Sequence, residues 1–258
     1  MTFNQNNGAK QRELMKLLGS VRDFENYPDL FKSLDSDTQT LVPLISTINL
    51  QHLRLCSEMT DFYQVYKGSS VLVPDGVPII KLINFYFHKK LRRIPGVEIC
   101  DFILKSEKKI FVLGSKQETL RKIRELYKLE KSQLDGWCGI FEYPAPENLL
   151  KKIRAEIQSF GPNYIILALG SPKGELAFGQ LSMPTLKSKA ICVGLGGSLD
   201  ILSTQFTRAP ILFQNLGLEW VWRIFQSPFR MFPRYVRDAK FLLKFCIESF
   251  NWDRNAQA

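Results

Sequence analysis

Asp75 stands in the segment Pro74-Asp75-Gly76, just after the short apolar run at residues 70–73. A carboxylate placed where a strand gives way to a loop can act as a general base toward a substrate hydroxyl. The same pair also reads as a plain turn, because Asp-Gly is a common turn dipeptide. Gly170-Ser171-Pro172-Lys173-Gly174-Glu175 follows the strongly apolar run 164–169. It could present backbone N–H groups and Lys173 to a phosphate, or it could be an ordinary strand-to-helix turn; it lacks the Gly-Lys-Ser/Thr ending of a P-loop. In Gly194-Leu195-Gly196-Gly197-Ser198-Leu199-Asp200 a dinucleotide-like spacing fails at Leu199, where Gly or Ala would be needed. The glycines still permit backbone to approach a ligand closely. Arg223, Arg230 and Arg234 offer planar forks that suit phosphate oxygens, or they form a solvated basic face. Residues 81–93 carry five Lys or Arg and no acid, next to Asp75.

These residues need a scaffold, and the hydrophobic pattern describes one. Apolar runs at 41–50, 70–73, 109–113, 137–143, 163–169 and 190–195 predict strands. Helical spacing predicts helices at 77–90, 116–129 and 146–160, and a short one at 11–18 within a polar lead of residues 1–40. Strands alternating with helices of this length predict an α/β fold with a mostly parallel sheet and helices on both faces. Ligands bind at the carboxyl ends of such strands. That directs attention to 74–76, to Gly114-Ser115, to 170–175 and to 194–200. Residues 219–245 differ in texture, with six basic residues against two acidic ones and, from Trp220 to Phe241, seven aromatic side chains among them. Such a tail could lie on an anionic membrane surface, cover the site, or pack as the last helices of the fold.

The 258 residues include 35 Lys plus Arg against 25 Asp plus Glu, a net charge of +10, so the expected partner is anionic: nucleic acid, a phosphorylated small molecule or an anionic membrane. Five scattered cysteines without a CxxC pair argue against a thiolate zinc site and suit a reducing compartment. His52 and His88 are the only histidines, and no carboxylate cluster has metal spacing. No Gly-x-Ser-x-Gly elbow and no RNP-type aromatic motif occur, so serine hydrolase chemistry and RNA binding find no support. No apolar window approaches the roughly 18 residues of a spanning helix, and the start lacks a signal-peptide core. The expected location is cytoplasmic, with any membrane contact peripheral.

Taken in order, four blocks resemble the WecG/TagA/CpsF glycosyltransferases of bacterial surface-polymer synthesis. They are Thr47-x-Asn49 with His52; Pro74-Asp75-Gly76 with Arg93-Ile94-Pro95-Gly96; Leu169-Gly170-Ser171-Pro172-Lys173-x-Glu175; and the run from Gly194 through Asp200, Arg208-Ala209-Pro210, Gly217-Leu218-Glu219-Trp220, Arg223, Arg230 and Arg234-Tyr235. The resemblance implies a Rossmann-like catalytic domain at 41–212 and a helical appendage at 213–258 that completes the site and reaches the membrane. It implies an inverting, metal-independent hexosyltransferase that moves an N-acetylmannosamine-type or other hexose from a UDP-sugar to a polyprenyl-diphosphate-linked acceptor. No cofactor and no nucleic acid are implied, and self-association is left open. Carried over by position, Asp75 is the base, Thr47 and Asn49 line the pocket, and Arg93 contacts substrate. Arg223, Arg230 and Arg234 meet the diphosphate. Gly114, Gly170, Ser171, Pro172, Lys173, Glu175, Gly196, Gly197 and Arg208 complete the expected binding set. Gly174 stands where the family usually has Gln, which removes a side chain expected near the ligand, and Glu98 stands where Asp is usual. The alternative reading is a catalytically decayed relative that still binds a UDP-sugar or lipid.

Overall fold

The computed structural model describes residues 2–34, 42–181, 190–203, 209–210, 212–213 and 218–256. Within them run strands β1 (Leu44–Ile48), β2 (Val71–Pro74), β3 (Ile110–Gly114), β4 (Leu134–Trp137), β5 (Tyr164–Ala168) and β6 (Ile191–Gly194). They form one sheet in the order β2-β1-β6-β5-β3-β4, and every neighbouring pair is parallel. Strands β2, β3, β5 and β6 are largely apolar on both faces because helices cover both. Ile166 of β5 shares one face with Val112 and Val193, while Ile165 and Leu167 share the other with Phe111, Leu113 and Cys192.

The helices are α1 (Thr2–Gly19), α2 (Tyr27–Lys32), α3 (Leu50–Glu58), α4 (Thr60–Lys67), α5 (Val77–Phe87), α6 (Gly96–Leu104), α7 (Gln117–Tyr127), α8 (Glu147–Phe160), α9 (Lys173–Gln180), α10 (Ser198–Leu202), α11 (Glu219–Gln226) and α12 (Pro228–Ala256). Helices α2, α6 and α7 bury Phe31, Ile103 and Ile123 against one face. On the other, α8 buries Leu150, Ile153 and Ile157, which lie three and four residues apart on a single helical stripe. A third apolar cluster joins Leu14, Leu17 and Leu18 of α1 with Leu53, Phe62, Ile79 and, from the far end of the chain, Phe245 of α12.

The parallel α/β architecture expected from the sequence is the one observed, with local differences that include the unpredicted helices α2, α3 and α4. The strand expected at 137–143 lies earlier, at β4, because only the ends of Leu134-Asp135-Gly136-Trp137 are buried and the segment carries little apolar signal. Helix α6 had no predicted counterpart: Ile99, Cys100, Ile103 and Leu104 are buried in its nine residues, leaving almost no wet face to set a period. Helix α1 runs 18 residues rather than the eight expected at 11–18, since its first half is polar and lacks the apolar repeat.

Candidate active site

Because the sheet is parallel, the carboxyl ends of β2, β1, β6 and β5 open on one edge, side by side. A cavity of about 370 Å³ lies there, closed from the other side by α11 and α12. The chain leaves β2 at Pro74 and delivers Asp75 into it, with the Asp75 amide donating to Ile48 O at 2.8 Å. The Ile94 amide donates to Pro74 O at 2.8 Å, which brings Arg93 beside Asp75. Arg93 Nε lies 3.4 Å from Asp75 Oδ1, while its two terminal nitrogens bond both oxygens of Glu219 at 2.7 Å each. Burial raises the Asp75 carboxyl above its ordinary range; Arg93 and Arg223 pull the other way, and Glu219 adds to the rise.

Asn49 follows β1 and lines the cavity while its side chain caps α3, accepting from the His52 amide at 3.2 Å. His52 Nδ1 lies 2.8 Å from Thr47 O, a carbonyl that can only accept, so Nδ1 carries the proton. Tyr66 Oη donates to the same carbonyl at 2.9 Å. Burial, helped by the Arg234 charge, lowers the His52 value to about 3, so the ring is neutral and Nε2 is an acceptor. Glu175, at the start of α9, has Oε1 4.0 Å from that Nε2. It is 7% exposed, and burial pushes its carboxyl up to about 7 despite the opposing pull of its own backbone amide.

Gly170 and Gly196 both take positive φ, 75° and 51°, and a Cβ on Gly196 would lie 4.0 Å from Gly170 Cα. The loops after β5 and β6 can therefore abut and present backbone rather than side chains. From the opposite side α11 supplies Glu219, Trp222 and Arg223, and α12 supplies Arg230, Arg234 and Arg237. Arg54 Nε bonds Asp238 Oδ1 at 2.7 Å, and Asp238 Oδ2 lies 3.7 Å from Arg234 Nε. Among the described residues four buried side-chain polar atoms lack a hydrogen-bond partner, and three belong to cavity residues: Ser171 Oγ, Glu175 Oε2 and Arg234 Nε. Buried polar groups are ordinarily paired, so the cavity offers a ligand polar atoms that the described residues leave unsatisfied. Among the described residues no group of three or more His, Cys, Asp or Glu could hold a metal ion.

Of the residues expected from sequence, Thr47, Asn49, Asp75, Arg93, Gly170, Ser171, Glu175, Gly196, Gly197, Arg223, Arg230 and Arg234 meet in this cavity. Gly114, Pro172 and Lys173 do not line it. Gly114 is pressed against the residue after β5, where a Cβ would come within 2.7 Å of Leu169 Cγ; Lys173 is exposed at the start of α9. Arg208 lies outside the described residues. Gly174 is buried with its Cβ direction toward Leu167 Cβ at 3.4 Å, so a side chain there would start against β5 rather than in the cavity. Glu98 accepts from Tyr27 Oη at 2.7 Å. Of the basic run 81–93 only Arg93 reaches the cavity, and Lys89 instead bonds Gly19 O at 2.7 Å.

Sequence reasoning gave no role to Glu219 or Arg237. Arg237 was detectable, since 230, 234 and 237 recur at helical spacing on one face. Glu219 pairs with a residue 126 positions away, and nothing local marks it.

The sequence matches the Glycosyl transferase WecG/TagA/CpsF family over residues 18–255. It is 26% identical over 196 residues, 74% of this chain and 75% of the relative, to an N-acetylglucosaminyldiphosphoundecaprenol N-acetyl-beta-D-mannosaminyltransferase of Bacillus subtilis (strain 168). It is 25% identical over 217 residues, 78% of this chain and 81% of the relative, to a protein of the same name from Staphylococcus aureus (strain NCTC 8325 / PS 47). The family match takes in every element that lines the cavity, from β1 through α12, and the chain belongs to the Glycosyl transferase WecG/TagA/CpsF family.

Proposed function

We propose that the protein transfers a hexose, of the N-acetylmannosamine type or another, from a UDP-sugar to a sugar carried on a polyprenyl diphosphate, with inversion and without a divalent metal. The observation that carries this reading is one cavity holding Asp75 together with Arg223, Arg230, Arg234 and Arg237. The names of the two relatives support the lipid-linked acceptor.

Asp75 accepts the proton of the acceptor hydroxyl as its oxygen attacks the anomeric carbon. The bond from that carbon to the diphosphate oxygen breaks on the opposite side, so the configuration inverts in a single displacement. Negative charge gathers on the departing UDP, and the arginine forks and the backbone N–H groups of the glycine loops meet it. The raised value of Asp75 fits a base, since a stronger base takes a hydroxyl proton more readily.

Helices α11 and α12 turn Phe225, Phe229, Phe232, Leu243 and Ile247 outward beside Lys240 and Lys244. No helix among the described residues is long and apolar enough to cross a membrane. Exposed apolar and basic side chains on the helices that carry the arginines support peripheral seating on the cytoplasmic face, where a lipid diphosphate would be within reach. The test is transfer from a panel of UDP-sugars to a lipid-linked acceptor, with and without EDTA. One sugar turned over with EDTA present is the expected result; UDP binding with no transfer from any donor would point to a decayed relative.

A further inference from the structure

We propose that Glu219 is a positioning residue: it takes both terminal nitrogens of Arg93, which keeps the guanidinium fork off Asp75 and leaves that carboxylate free to accept a proton. The inference rests on the reading of Asp75 as the base.

The geometry is unequal. Glu219 holds Nη1 and Nη2 through separate oxygens at 2.7 Å each, the parallel fork-to-fork arrangement that makes arginine–carboxylate pairs strong. Asp75 receives only the side edge of the same guanidinium, through one oxygen, at 3.4 Å from Nε and 3.5 Å from Nη2. All three side chains are partly buried, at 26%, 24% and 20% exposed for Arg93, Asp75 and Glu219, so water screens these contacts incompletely.

The charges around Asp75 show what Glu219 balances. Arg93 faces it from the segment before α6, Arg223 from α11, Tyr66 from α4 and Tyr235 from α12. Without Glu219 the base would face two arginines and no second anion. The Arg93 fork would turn onto Asp75 and form the bidentate pair that Glu219 now occupies. A carboxylate so paired is a weaker base. Helix α11 carries Glu219 four residues before Arg223, so one helix turn delivers both the cation and the anion that offsets it.

The test is the pH dependence of kcat/KM for the full chain with a UDP-sugar and a lipid-linked acceptor. Its acid limb reports the base in the free enzyme. Glu219→Gln is expected to move that limb to lower pH by about one unit or more and to lower plateau turnover by about tenfold. Glu219→Asp, which keeps the anion, is expected to restore the limb toward its original position. The limb does not depend on how much enzyme is folded, so a merely structural loss would lower the plateau and leave the limb in place; that outcome overturns the inference. If Glu219→Gln is too slow to assay, carbon-13 titration of the Asp75 carboxyl in both proteins decides, and an unchanged midpoint overturns it. Asp75→Asn run alongside keeps the two readings apart. Near-normal turnover in that variant refutes the base itself, whereas an inactive Asp75→Asn with an unmoved Glu219→Gln limb refutes only the role of Glu219.

Discussion

The strand-end floor of the cavity and its arginine-bearing helical wall are held in place by different forces. The floor grows out of the sheet: Ile45, Ile48 and Val73 are fully buried just behind Thr47, Asn49 and Asp75. The wall has little core of its own. Helix α11 buries no residue, Phe229 is 96% exposed, and α12 reaches the interior mainly through Phe245, Asp238 and Ser249. Besides the packing of Phe241, Leu242, Phe245 and Cys246 on the third apolar cluster, a few polar contacts hold the wall: Arg93 with Glu219, Arg54 with Asp238, and Gln11 with Phe245 O and Ser249 Oγ. On the proposed mechanism, proton chemistry sits on the well-packed floor and charge stabilisation on the wall that polar bonds help to hold. The wall should therefore respond to salt and to single polar substitutions far more than the floor.

The largest expected effect belongs to the floor. Asp75→Asn should cut turnover by about a thousandfold while UDP affinity, measured by calorimetry, stays near its original value. If affinity collapses as well, floor and wall do not divide the work as described. Asp238→Asn should have the next largest effect, because it leaves the buried Arg54 with Glu58 as its one remaining carboxylate partner among the described residues, a loss of about 3 kcal/mol. Hydrogen exchange should quicken along α12 and leave β1, β5 and β6 protected; uniform quickening would mean that wall and floor unfold as one. Arg230→Ala or Arg234→Ala removes a charge-assisted contact worth about 1.5–3 kcal/mol. UDP should then bind roughly ten- to a hundredfold more weakly, and more steeply so in Arg234→Ala, whose guanidinium is the less exposed.

The smallest effect is one of pH on the floor. Glu175 is raised from 4.5 to about 7 in the fold, so its stabilising contribution is complete below 4.5 and is lost as pH rises through 7. His52 is lowered from 6.5 to about 3, so its contribution is present above 6.5 and is lost as pH falls toward 3. Between 4.5 and 6.5 the folded pair and the unfolded pair each hold one proton, and the two slopes cancel. Relative to the parent, Glu175→Gln should gain stability with rising pH in that window and His52→Gln should lose it, read from urea midpoints. Parallel curves for the two variants would show that these groups do not titrate as their burial dictates.

The division between floor and wall also explains what the sequence revealed. Strands β3, β5 and β6 are nearly continuous apolar runs, visible because both faces are covered, and the turns that follow them announced loops at the floor. The basic, aromatic texture of 219–245 pointed to the wall as one of three readings of that tail. The contacts that join the two left no local trace, because Arg54 and Asp238 lie 184 positions apart and Arg93 and Glu219 lie 126 apart. Gly114 and Lys173 show the opposite error. Both sit in loops at strand ends, and only the close packing of Gly114 on Leu169 and the outward path of Lys173 remove them from the cavity.

The bond between Gln11 of α1 and the main chain of α12 spans 234 positions. Of the elements described, α1 comes first in the chain and α12 last, and the two share one apolar cluster. Without α12 the cavity holds Asp75 and Arg93 but not Arg230, Arg234 or Arg237. On the proposed mechanism it carries the base without the charge that steadies the departing diphosphate. The proposed transfer would therefore need α12 seated on α1 and α3, contacts made between segments far apart in the chain.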